Sequence, residues 1–166
     1  MNTAFEQILN DYGPMLSRLA SSYEANHHLH QELLQEISVA VWQALKGFRG
    51  DSSIRTYILR VAHNKAVNHV AYHARQPRNE SYCEVSEPSP NHDLSSENNI
   101  GQQQQVQKLL SEVRKLPVQA RQIVTMSMEG LSYQEIAEVC GLTTSNVGVI
   151  LNRGKKLLLE SMQDDE

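Results

Sequence analysis

Cysteine is scarce in this chain, long apolar runs are missing, and so are the short signatures of the common hydrolases. Cys83 and Cys140 stand far apart with no C-x-x-C pair, which argues against a disulfide framework or a cysteine-built zinc site. Cys140 reads as a small buried apolar residue beside a turn. No stretch approaches the roughly 20 apolar residues that cross a bilayer. The N-terminus has neither the basic start nor the apolar run of a secretory leader, so a cytoplasmic location is expected. G-x-S-x-G, H-E-x-x-H and a phosphate-cradling glycine loop are absent. A hydrolase therefore has nothing to rest on: no catalytic residue is assigned, and no cofactor or metal is expected. With 166 residues and 40% hydrophobic content, the chain has apolar material for one domain or two small ones.

A formal net charge of −4 argues at first against a polyanionic partner, but the charges are segregated. Between Lys46 and Arg78 seven basic residues accompany a single acid, Asp51. Between Asn79 and Gln107 there are five acids and no Lys or Arg. Arg153, Lys155 and Lys156 form a second basic group with no acid among them. Local field, not the sum, governs attraction to phosphate.

The clearest local signal is LSYQEIAEVCGLTTSNVGVILNRGKKLL, from Leu131 to Leu158. Ser132 and Glu135 have the S-x-x-E spacing of a capping box. Ile136 and Ala137 face inward, Gly141 suits a left-handed helix end, and Thr143 or Thr144 caps a second helix. On that helix Val147, Ile150, Leu151, Leu157 and Leu158 share one arc, while Ser145, Val149, Asn152 and Lys156 share the other. A short helix apolar on one side and basic on the other, entered by a tight turn, is a helix-turn-helix. Its N-terminal residues suit base edges, and Arg153, Lys155 and Lys156 suit phosphates. The plain alternative is a helical hairpin with a solvated cationic face.

From the start, Phe5, Ile8, Leu9, Tyr12, Leu16, Leu19 and Tyr23 predict helix, broken at Gly13-Pro14 into two segments. His27, His28 and His30 read as a polar loop. A helix follows over about 29–46, with Leu33, Leu34, Ile37, Val41, Ala44 and Leu45 on its inner arc. Its other arc mixes Glu32, Gln35, Glu36 and Gln43 with Val39 and Trp42. That is either a protein-binding face or a face that another helix of the same domain covers.

Phe48 sits in a basic glycine loop, where it either stacks on unpaired bases or plugs the domain edge. The next helix, about 54–75, buries Ile54, Tyr57, Ile58, Val61, Ala62 and Ala66. Thr56, Arg60, His63 and Asn64 share a polar strip on it, suited to phosphate and base contacts. His69 and His73, with no carboxylate or cysteine nearby in sequence, are not assigned as metal ligands.

Residues 76–105, with three prolines and the Gln102 to Gln105 run, read as a polar acidic linker with little fixed structure. Beyond it Leu109, Leu110 and Val113 mark a helix stopped at Leu116-Pro117. Ala120, Ile123, Val124 and Met128 line another, ended by Gly130. The expected fold is all-α: a helical domain over 1–75, a flexible linker over 76–105 and a helix-turn-helix domain over 106–166.

ELLQEISVAVWQAL, then FRGDSSIRTYILRVAHNKAVNHV, then LPVQARQIVTMSMEGLSYQEIAEVCGLTTSNVGVILNRGKKLL, in this order across a polar tether, resemble bacterial RNA polymerase sigma factors of the extracytoplasmic-function class. The resemblance implies a transcription initiation factor that reads the minus-10 and minus-35 promoter elements and helps open DNA. It assigns Glu32, Leu33, Gln35, Glu36 and Val39 to the clamp helices of the core polymerase's largest subunit. It assigns Phe48, Ser52, Ser53, Thr56, Arg60, His63 and Asn64 to the minus-10 element, where Phe48 and the loop to Ser53 take a flipped base. Thr144, Ser145, Gly148, Val149, Asn152, Arg153, Lys155 and Lys156 fall to the minus-35 element. It also implies an anti-sigma partner.

The chain departs from the family where Thr-Val-Lys/Arg-Ser-Arg gives way to Asn146-Val147-Gly148-Val149-Ile150, losing two basic positions. Tyr57 replaces a tryptophan, and His63 is unusual. The rival reading is a stand-alone helix-turn-helix regulator that binds duplex DNA without polymerase.

Overall fold

A computed structural model of the protein describes residues 2–75 and 97–163, and every regular element among them is a helix, as expected. Three helices, α1 (Asn2–Ser21), α2 (His27–Leu45) and α3 (Ile54–Arg75), precede the undescribed stretch. Four follow it: α4 (Glu97–Lys115), α5 (Val118–Met128), α6 (Tyr133–Cys140) and α7 (Thr144–Gln163).

The first bundle closes on Leu16 and Leu19 of α1, Leu33, Ile37 and Val41 of α2, and Ile58, Leu59 and Ala62 of α3, all buried. α1 runs unbroken through Pro14, where two segments were predicted. Proline costs a helix about 3 kcal/mol, but Ile8 and Tyr12 before it and Met15 and Leu16 after it pack on the same core. One continuous apolar stripe outweighs the missing hydrogen bond. α2 begins earlier than predicted, because the Asn26 side chain accepts from Leu29 N at 3.1 Å and caps the helix. His27, His28 and His30 therefore form its first turn, not a loop. Ser53 caps α3, its Oγ accepting from Thr56 N at 3.1 Å.

In the second bundle α4 starts at Glu97, so residues 97–105 of the expected linker are helical. Gln102 to Gln105 are adequate helix formers, and Leu109 and Val113 further along α4 anchor it to the core. Residues 76–96, with Tyr82, Cys83 and the prolines of the linker reading, lie outside the described residues. α5 buries Arg121, Thr125 and Met126 as well as Ile123 and Val124. A helix covered on several sides loses the one-stripe pattern, which is why Met126 is inside and Met128, predicted to line the core, is outside. Leu157 is likewise exposed.

The helix-turn-helix forms as the sequence indicated. Ser132 N donates to Glu135 Oε1 at 3.0 Å and Glu135 N donates to Ser132 Oγ at 3.2 Å, closing the capping box. Those bonds hold the Glu135 carboxyl below its usual range. Gly141 ends α6 at φ 68°, ψ 35°. Thr143, not Thr144, caps α7, accepting from Asn146 N at 3.2 Å.

Two core positions carry testable consequences. Gly154 of α7 is buried so close to α5 that a Cβ would stand 2.9 Å from Val124 Cγ2. Gly154→Leu is expected to lower stability by about 1–3 kcal/mol through overpacking; unchanged urea midpoints would refute the close approach. His63 is 2% exposed, its Nδ1 is 3.0 Å from the Tyr23 hydroxyl, and burial pushes its pKa down to about 3. The unfolded chain then takes up the proton first. His63 thus supports the fold in full above pH about 6.5, and its share falls as pH drops towards 3. That share is at most about 1.4 kcal/mol per pH unit. His63→Gln should flatten the loss of stability between pH 6.5 and 5, and parallel curves for the two proteins would refute it.

Candidate nucleic-acid interface

On α7, Thr144, Ser145, Val149, Asn152, Arg153, Lys155 and Lys156 are all exposed. Val147, Leu151 and Leu158 hold the opposite side in the core. Gly148 is partly covered, with Tyr133 Cε2 3.3 Å from where its Cβ would be. The absent side chain leaves room for the Tyr133 ring, itself 45% exposed on the rim of this face. Sequence reasoning passed over Tyr133; its place directly after the capping serine was the available signal.

The polar strip expected on α3 divides. Arg60 and Asn64 are exposed, whereas Thr56 and His63 are buried. His63, neutral and bonded to Tyr23, presents no edge to a ligand in this conformation. Its burial has a plain cause: α3 packs against other helices on more than one side, so a polar strip on its helical wheel need not be wet. Thr56 Oγ1 receives a 2.8 Å bond from Ser53 and lies 3.5 Å from Glu135 Oε2 of α6. Ser53 acts as a helix cap, and Ser52 is partly exposed beside it. The Phe48 ring rests against Tyr57 at a centroid distance of 4.9 Å, and the Tyr57 hydroxyl donates to Ala44 O at 2.7 Å. Of the two readings of Phe48, this conformation has the edge plug, with the ring still partly exposed.

On α2, Glu32, Gln35, Glu36 and Val39 line an open groove of about 350 Å³ that Lys65 of α3 completes. Val39 is 55% exposed. Leu33 is fully buried in the bundle core, beneath this groove and not on its surface. Trp42 is 44% exposed, partly covered by the edge of Phe5 and by Lys46, whose Nζ stands 3.6 Å over the ring. α1 thus covers part of that face through Phe5, and the rest of it is open.

The two bundles meet in a seam built largely by arginines. Arg60 of α3 donates to the Glu138 carbonyl of α6 at 2.6 Å, and Arg55 donates to the Glu129 carbonyl that follows α5. Arg114 of α4 donates to the Ser21 carbonyl at the end of α1 at 2.8 Å. Arg18 adds a two-pronged ion pair with Glu129, at 2.7 and 2.9 Å. The Arg121 guanidinium lies 5.2 Å over the Tyr23 ring. Arg55 is the residue the sequence reading missed here: it was counted in the basic cluster, yet only the fold gives it a partner.

Residues 8–76 match the sigma-70 region 2 family and residues 106–158 match sigma-70 region 4. RNA polymerase sigma factor YlaC of Bacillus subtilis is 30% identical over 148 residues, covering 84% of this chain and 82% of that protein. The ECF RNA polymerase sigma-E factor of Haemophilus influenzae is 24% identical over 169 residues, covering 96% and 88%. Among solved structures, the sigma factor RpoE of Bartonella quintana, determined with the anti-sigma factor NepR, superposes with a TM-score of 0.74 at 19% identity, covering 98% of this chain and 99% of that one. CnrH, determined with the cytosolic domain of CnrY, gives 0.72 at 22% identity, covering 100% and 92%. A stand-alone helix-turn-helix regulator would account for residues 106–158 and leave 8–76 without a role. With both halves matched in order along one chain, the protein belongs to the RNA polymerase sigma factors of the sigma-70 superfamily, extracytoplasmic-function class, and serves in transcription initiation.

Proposed function

We propose that the chain is a non-catalytic specificity subunit of the cytoplasmic core RNA polymerase. In this reading Glu32, Gln35, Glu36 and Val39 of α2 dock on the clamp helices of the largest subunit. Arg60, Asn64 and the Phe48–Ser53 loop take the minus-10 element, and the exposed face of α7 reads minus-35. The observation that carries the reading is α7 itself: one face is packed in the core, while the other presents Ser145, Val149 and Asn152 beside Arg153, Lys155 and Lys156, with no acid among these three cations. Base-edge contacts of this kind discriminate by roughly 1–3 kcal/mol each. Trapping an unstacked base offsets a few kcal/mol of unpairing. An anti-sigma factor that covers these surfaces is the regulatory partner expected of the class; the related RpoE was determined with one, NepR.

The seam adds a step. Arg55 and Arg60 are engaged by helix ends of the second bundle, so the bundles must part before α3 meets DNA, and docking on polymerase supplies that separation. Two measurements test the proposal. In an abortive-initiation assay with core polymerase on a promoter selected from the protein's own target sequences, promoter-specific product is expected. Glu36→Lys should weaken core binding at least tenfold, and a product level no higher than core alone would reject the reading. In a variant carrying fluorophores at Asn68 and Glu160, with Cys83 and Cys140 replaced by serine, energy transfer should fall when core polymerase is added. Constant transfer would reject the opening.

A further inference from the structure

α2 and α3 run side by side so that Glu32 comes to His73 and Glu36 to His69, which the sequence, with these groups more than thirty residues apart, did not disclose. One donor atom from each of Glu32, His69 and His73 lies within 4.8 Å of the other two. His73 Nε2 is 3.8 Å from Glu32 Oε1. The two imidazoles stack obliquely with centroids 4.3 Å apart. His69 is held in place, its side chain 1% exposed and its Nδ1 3.4 Å from Glu36 Oε2. Nε2 of His69 and Nε2 of His73 are both buried without a hydrogen bond; Glu24 Oε1, 3.0 Å from the first, lies outside hydrogen-bond geometry. Glu32 and His73, by contrast, keep side-chain exposures of 42% and 27%, which gives the cluster a way in from solvent.

We propose that Glu32, His69 and His73 form a binding site for a divalent cation of the zinc class, on the face where α2 docks on polymerase. Two imidazoles four residues apart on one helix, plus a carboxylate from the next, form a nitrogen-rich donor set. It suits zinc, cobalt or nickel better than calcium or magnesium, which take oxygen ligands. Tetrahedral zinc with bonds near 2.0–2.1 Å needs donors about 3.3 Å apart. The contraction required falls on Glu32 and His73, the two side chains with room to turn. Glu36 on the far nitrogen of His69 is the carboxylate partner that commonly orients a ligating imidazole.

Occupancy has a functional consequence, which rests on the docking role proposed for α2. A cation withdraws Glu32 from the docking face and cancels its charge, so metal and polymerase compete for one residue.

The test uses the full-length protein stripped of metal with EDTA and dialysed. Titration with Co(II) should give visible ligand-field absorption at one equivalent, which Zn(II) abolishes. Glu32→Gln and His73→Ala should each weaken Zn(II) binding at least tenfold while helical content and melting temperature stay unchanged. No absorption, or binding that survives in both variants, overturns the site. Polymerase docking is then measured with and without saturating Zn(II). The parent should dock at least threefold more weakly with zinc, and His73→Ala should dock equally in both conditions. Equal docking of the parent with and without zinc overturns the competition. Failure of the metal-free parent to dock at all overturns the reading of α2 instead, and the Co(II) titration still decides the site.

Discussion

Arginine at the carbonyl end of a helix is the contact that this arrangement of the two bundles depends on. The last carbonyls of any helix lack an internal partner and carry the negative end of its dipole. Four of these helices end against a guanidinium. Arg114 meets the end of α1, Arg55 the end of α5 and Arg60 the end of α6. Arg121 donates to Arg114 O at 2.6 Å and Leu116 O at 3.1 Å, where α4 stops. Three of the four cross the seam. Burial lowers the pKa of Arg114 and of Arg121 from the usual arginine value, nearby Glu24 opposing the shift in both. Each guanidinium remains a cation well into the alkaline range, so the contacts persist across any physiological pH.

Such contacts have a defined strength. Hydrogen bonds to a charged group contribute roughly 1.5–3 kcal/mol when shielded and less when wet. The Arg18–Glu129 pair, with Arg18 largely exposed, belongs at the surface end of the scale, about 0–1 kcal/mol. Contacts of this strength are firm enough to set a resting arrangement and few enough to be exchanged for others. Phosphate competes on favourable terms for the same guanidiniums, since it accepts two bonds in one plane and binding releases counterions. In the proposed reading, Arg60, which would meet DNA, is thus held by a carbonyl in its absence, with Arg55 beside it held likewise. Carbonyl oxygens stand in for phosphate oxygens.

The helix-turn-helix was legible because its signals are local. A capping box, a left-handed glycine and a one-sided apolar stripe each act within a few residues, and Ser132, Glu135, Gly141 and Val147 stand where their chemistry requires. The core face of α2 was legible for the same reason. What failed were inferences from a helix's outer face. Thr56 and His63 look wet on a wheel but lie buried, since a wheel knows nothing of a second body. Pro14 and Gln102 to Gln105 looked like breaks, yet packing and an extended α4 carried helix through them. Gly154 carried no sequence signal at all; its need arises from Val124, thirty residues away, at a distance only the fold sets.

The recognition helix shows how a lost charge changes the kind of reading, not only its strength. Where the family pattern has two basic side chains, this chain has Gly148 and Ile150, so the first half of α7 offers its helix N-terminus and small or apolar groups. Its cations begin only at Arg153. A helix N-terminus attracts phosphate through backbone N–H groups without a side chain, and the exposed Val149 and Tyr133 are apolar groups suited to thymine methyls. With fewer cations, phosphate neutralisation by this domain is smaller, and so is the salt dependence it contributes. In the proposed reading, affinity for duplex DNA from α7 alone is correspondingly low. That is tolerable in a subunit whose two DNA surfaces act while held on a third body, where the second contact is made at high effective concentration and need not be strong.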